Sequence, residues 1–166
     1  MTTETRLIVE TPERMEALGA AIARRLGAGD LVLLNGELGA GKTTLTRGLG
    51  AELGVRGAVT SPTFVLARTH PREEGLPPLV HVDAYRLGSA TELDDLDIDV
   101  AASIVVVEWG AGMLASESWL QVDIERPHGG DPLAEAEPRH VTITGYGERW
   151  ETALSDAGEW LDAARD

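Results

Sequence analysis

Apolar positions along this chain switch between helical and strand spacing, which is the pattern of alternating helices and strands. Arg6–Val9 is short and β-like. Thr11 is placed as an N-cap with Pro12 at the first helical position, and Met15, Leu18, Ala21, Ile22 and Leu26 follow at helical spacing, with Gly27 as the stop. Leu31–Leu34 is a fully apolar run, the mark of a strand covered on both faces. A glycine-rich turn and a helix to about Leu53 come next, broken by Gly54 and Gly57. Val65–Ala67 is a candidate short strand, and His70–Pro78, rich in Pro and charge, reads as an exposed loop. Leu79–Asp83 and Ile104–Glu108 read as strands. Between them, Ser89 and Glu92 have capping-box spacing. Trp119–Ile124 and Val141–Thr144 alternate like half-buried strands, and Trp150, Leu154, Ala157 and Leu161 mark an amphipathic terminal helix.

This order predicts an α/β fold: a central, mostly parallel sheet flanked by helices, with antiparallel strands added toward the C-terminus. With 166 residues the expectation is a single domain, residues 5–145 forming its core and 146–166 a helical extension. Aromatic residues are only 4% of the chain, so the core must be aliphatic.

One segment carries specific chemistry. Gly36-Glu37-Leu38-Gly39-Ala40-Gly41-Lys42-Thr43 fits G-x-x-x-x-G-K-[ST] at every fixed position, between an expected strand and an expected helix. Glycines let backbone N–H groups turn toward phosphates, and the helix N-terminus attracts the anion. The lysine brings a full positive charge to the β- and γ-phosphates, and the Thr43 hydroxyl is a magnesium ligand. The expected cofactors are therefore ATP and magnesium. Lys42 is the sole lysine, so the second lysine of a guanine-specific motif is missing, and ATP is favoured over GTP.

A phosphate loop of this kind needs an acid near the magnesium and a group that orders water. Asp83 and Glu108 each end an apolar strand, where ligands bind in open α/β sheets. Ser61-Pro62-Thr63-Phe64 fits either a γ-phosphate-sensing switch or a plain β-turn. His81 alone on a strand reads more simply as a packed residue than as a catalyst. The acids Glu92, Asp94, Asp95, Asp97 and Asp99 read as the solvated side of a helix whose apolar face is Leu93, Leu96 and Val100.

The net charge of −14 disfavours direct binding of a nucleic-acid backbone, and no basic cluster offsets it. Absence of cysteine excludes disulfides, thiolate metal sites and cysteine nucleophiles. Neither a signal-peptide pattern nor an apolar run of membrane-spanning length is present, so the expected location is the cytoplasm.

Taken in order, Gly36–Thr44, Ser61–Phe64, His81-Val82-Asp83-Ala84-Tyr85-Arg86-Leu87 and Glu108-Trp109-Gly110 closely resemble the TsaE family of small bacterial ATPases, over about residues 5 to 145. The resemblance implies a role in forming N6-threonylcarbamoyladenosine in tRNA, exerted on a TsaD–TsaB protein complex that holds the tRNA, with ATP hydrolysis resetting that complex. It also implies site roles. Lys42 contacts phosphate, Thr43 and Glu108 hold magnesium, and Asp83 serves hydrolysis together with Thr63 of the switch-like segment. Gly36, Leu38, Gly39, Ala40, Gly41 and Thr44 complete the nucleotide cradle, and Thr11 lies toward the adenine. The competing readings are a small P-loop metabolite kinase, for which Arg68–Pro78 is a poor lid, and an assembly factor that binds ATP without hydrolysing it. The acidic loop Gly129–Glu137 and the segment after Gly145 depart from the family pattern.

Overall fold

The computed structural model describes residues 2–36, 41–55, 67–73, 75–83, 99–108, 118–126 and 138–150. The chain runs through β1 (Thr2–Val9), α1 (Pro12–Ala23), β2 (Leu31–Gly36), α2 (Lys42–Leu53), β3 (Ala67–His70), β4 (Leu79–Asp83), β5 (Ile104–Glu108), β6 (Trp119–Glu125) and β7 (Arg139–Tyr146). These strands make one seven-stranded sheet in the order β1-β7-β6-β2-β5-β4-β3. The four central strands β6, β2, β5 and β4 are mutually parallel. Antiparallel pairing is confined to the flanks: β7 on β6, β1 on β7 and β3 on β4. The mixed α/β sheet is as expected, and the antiparallel additions include β1 and β3 as well as the late β7.

Two boundaries differ from the sequence pattern for one physical reason. β1 begins at Thr2, four residues before the apolar stretch, because its whole length pairs with β7 from Thr2↔Tyr146 to Val9↔Arg139. β3 covers Ala67–His70, which includes Arg68 and Thr69, both exposed. Each is an edge strand, where one partner strand fixes the backbone and polar side chains face water, so neither shows an apolar run. His70, expected in the loop, is buried at the end of β3. Residues 65 and 66, the Ser89–Val100 helix apart from its last two residues, and the terminal helix beyond Trp150 lie outside the described residues.

Alternation along the strands splits the core in two. Val32, Leu34, Leu79, Ile104, Val106, Leu120, Val122 and Ile124 face α1 and α2 and join Leu18, Ile22, Leu45 and Leu49 in the larger cluster. Leu31, Leu33, Val80, Val82, Val105 and Val107 form the smaller cluster on the other face. β2 and β5 are apolar on both faces, as buried parallel strands require.

α1 starts as expected. Thr11 has extended backbone, its Oγ1 accepts from Arg14 N at 3.1 Å, and Pro12 occupies the first turn. The helix ends at Ala23, before Leu26, which packs on the core from the following turn. α1 and α2 meet backbone to backbone. A Cβ at Gly19 would collide with the Leu45 carbonyl, and one at Gly48 with the Glu16 carbonyl. Only glycine at both positions permits this separation.

The C-terminal segment is tied down at the N-terminal end of the parallel strands. Arg149 donates to both Asp30 carboxylate oxygens, at 3.2 and 2.9 Å, and to the Arg25 carbonyl at 2.6 Å. Asp30 also accepts from Gly27 N at 2.7 Å. Trp150 beside it is 1% exposed, so this end of the extension covers the domain.

Two stability outcomes follow from this packing. Gly48→Ala gains about 1 kcal/mol of helix propensity but drives a methyl group into rigid backbone. Overpacking typically costs about 1–3 kcal/mol, so its thermal midpoint is expected several degrees below wild type. Gly27→Ala, with open space around its Cβ, is expected to leave the midpoint unchanged; equal midpoints for both variants would contradict the crossing.

His70 is held below the ordinary histidine range, first by burial and then by repulsion from His81 and Arg68. It binds a proton more readily unfolded than folded. Stability from this group is therefore complete above the unfolded value of about 6.5 and declines as pH falls below it. Urea midpoints at pH 7.5 and 5.5 should diverge more for wild type than for His70→Gln.

Candidate functional site

β2 carries the chain to Gly36 at the carboxyl end of the parallel strands, and α2 rises from the same place at Lys42. Gly41, immediately before α2, has φ of +119°, a left-handed conformation that disfavours a side chain. A Cβ there would also lie 3.2 Å from Met15 Cε of α1. Gly41 lends α2 no side-chain cap. The first N–H groups of the helix therefore have no intrahelical acceptor, and the positive end of the helix dipole is directed outward at this point.

Lys42 does not extend into solvent. It is 6% exposed, and its ammonium donates to the Gly36 carbonyl at 2.6 Å, closing the phosphate-loop motif across its ends. Burial lowers its pKa from the ordinary lysine value, and the nearby charges of Glu108 and Asp83 oppose that shift. One turn on, the Thr46 hydroxyl donates to the Lys42 carbonyl at 2.8 Å.

The two acids expected at strand ends stand side by side. β5 lies between β2 and β4, and the register aligns Leu34 with Glu108 and Glu108 with Asp83. Strand alternation puts both acids on the helix-covered face, with Leu34, Val106 and His81. Glu108 is 3% exposed, whereas Asp83 is half-buried. The site therefore holds one buried cation, one buried carboxylate and one half-buried carboxylate, at the mouth of α2.

Sequence reasoning missed a third partner. His81 Nε2 is 3.3 Å from Glu108 Oε1, with both side chains almost wholly buried. The available signal was its position two residues before Asp83 in one strand, which places it on the same face. Met15 beneath Gly41 was assigned only to the core, and it is the point where α1 supports the loop.

Gly36, Gly41, Lys42, Thr43, Thr44, Asp83 and Glu108 thus converge at one end of the sheet. Thr11 caps α1 one turn before Met15, so it lies toward the same end, with its hydroxyl engaged by Arg14 N. Leu38, Gly39, Ala40, Thr63, Tyr85, Arg86 and Trp109 lie outside the described residues. Among the described residues no cluster of three or more His, Asp or Glu forms a metal site, and no helix is long and apolar enough to cross a membrane.

Sequence and fold both resemble known proteins. The family model described as threonylcarbamoyl adenosine biosynthesis protein TsaE matches residues 9–131. A tRNA threonylcarbamoyladenosine biosynthesis protein TsaE from Streptomyces coelicolor is 60% identical over 144 residues, spanning 84% of this chain and 95% of the relative. Its namesake from Bacillus subtilis is 36% identical over 146 residues, spanning 84% of this chain and 85% of the relative. The crystal structure of Bacillus subtilis YdiB superposes with a TM-score of 0.74 at 29% identity, covering 100% of this chain and 99% of that one, and shares the P-loop fold.

Proposed function

This chain belongs to the TsaE family of tRNA threonylcarbamoyladenosine biosynthesis, and from that premise we propose that it is a magnesium-dependent ATPase acting on a TsaD–TsaB protein complex. The observation that carries the reading is the register that sets Glu108 beside Asp83 at the strand end facing buried Lys42.

The residues present suit magnesium and a polyphosphate. Glu108 is a carboxylate buried at the strand end beside Asp83, a costly position unless a cation completes it. Lys42 is a desolvated cation whose charged form an added anion would favour. Bound magnesium-ATP supplies a γ-phosphoryl group whose developing charge the metal helps neutralise. In this reading the Lys42 ammonium leaves the Gly36 carbonyl for the phosphates. The Thr43 hydroxyl and Glu108 carboxylate hold the cation. Backbone N–H groups from Gly36 through Thr44, with Leu38, Gly39, Ala40 and Gly41 between, cradle the phosphates, and Thr11 borders the adenine. Asp83, the more open carboxylate, orients the attacking water and takes its proton, and Thr63 belongs to the segment that senses the γ-phosphate.

The acidic charge agrees with this division of labour. A chain of net −14 is unsuited to gripping a tRNA backbone, so the RNA is left to the partner complex. The same reading places the protein in the cytoplasm.

Lys42→Ala should lose at least tenfold in ATP affinity by calorimetry, and unchanged affinity would refute the phosphate-loop role. Hydrolysis should be slow alone and clearly faster with TsaD–TsaB. A rate indifferent to that complex would favour a metabolite kinase instead. Asp83→Ala should reduce turnover at least tenfold with ATP affinity held within about threefold; parallel loss of both would move Asp83 from water activation to binding.

A further inference from the structure

We propose that His81 is the positioning residue for Glu108, donating from Nε2 to Oε1 and so fixing which carboxylate oxygen is left for a cation. The inference rests on the magnesium role proposed for Glu108 and assigns a second residue to the same site.

Three observations carry it. His81 is fully buried on β4 and Glu108 is 3% exposed on the neighbouring β5. The strands are parallel with His81 opposite Val106, so Glu108 lies one pleat further along on the same face, diagonally placed for contact. Their facing atoms are 3.3 Å apart, an ion-pair distance without the alignment of a formed N–H···O bond, and among the described residues neither atom has any hydrogen-bond partner, so each is left for the other to satisfy.

Burying two polar atoms in mutual contact and nowhere else is a costly way to fill a core. Each unsatisfied group costs about 1–3 kcal/mol, and Leu or Val would pack there without that cost. The arrangement makes sense where one carboxylate oxygen has to be held. A carboxylate free to rotate presents either oxygen, whereas one held at Oε1 presents Oε2 in a fixed direction. Ligating carboxylates are themselves commonly hydrogen-bonded, and losing the outer partner typically weakens metal affinity about 10–100-fold.

The test compares ATP affinity with and without magnesium, by calorimetry, for wild type, His81→Leu and His81→Gln. The Gln side chain can place an N–H close to the position of imidazole Nε2. Magnesium is expected to tighten ATP binding by wild type and His81→Gln alike. In His81→Leu that enhancement should fall about tenfold, with magnesium-free affinity within about twofold of wild type. Undiminished enhancement in His81→Leu, or equal loss in Leu and Gln, overturns the inference alone. Wild-type affinity indifferent to magnesium overturns the proposed function and the inference with it.

A ligand-free measurement covers the case in which His81→Leu does not fold. Long-range 1H–15N spectra of the wild type should show an Nε2-bound proton on His81. Glu108→Gln should shift that resonance and leave His70 unmoved. A bare Nε2, or a signal insensitive to Glu108→Gln, also overturns it.

Discussion

Where α1 crosses α2, backbone meets backbone, because Gly19 and Gly48 present no side chains to hold the helices apart. Much of the site's geometry depends on that separation. It lets both helices share one sheet face, closes the larger core cluster beneath them, and brings Met15 up against Gly41. With Gly41 in its left-handed conformation, α2 starts directly above the end of β2, and Lys42 folds back onto Gly36. A wider crossing would tilt the helix N-terminus off the strand ends, and the cation would lose the two acids that β4 and β5 hold in register.

The electrostatics of the site are arranged in opposition. Burial disfavours the charge on Lys42, while Glu108 and Asp83 restore part of what burial removes. In the proposed reading each group gains a better partner when magnesium and phosphate arrive together: the anion takes over the lysine, and the metal takes over Glu108. Neither ligand alone would satisfy both. This is a physical basis for binding the metal and the nucleotide as one unit.

Much of this was legible in the sequence, and the exceptions have physical causes. The phosphate loop is visible because its glycines and lysine are each required by backbone geometry or charge, and Thr11-Pro12 is visible because helix starts have local chemistry. The apolar runs ending in Asp83 and Glu108 declare buried parallel strands. Hidden from a linear reading were β1 from Thr2 to Thr5 and β3 beyond Ala67, since edge strands take their conformation from a neighbour. The contact of His81 with Glu108 was hidden as well, because it depends on register between strands that lie far apart along the chain. Gly19 and Gly48 look like weak points of two helices until the helices are placed against each other.

Lys42 is buried at the phosphate loop and is the sole lysine among 14 basic residues. Every other cationic side chain is arginine, which lysine acylation does not touch. Lysine acylation therefore has a single address in this sequence, and that address is the residue proposed as the phosphate clamp. Capping its amine would delete the positive charge and leave only an amide donor beside Gly36. Graded tuning of the surface by lysine modification is closed to this chain: at the level of covalent control, acylation is an off switch or nothing.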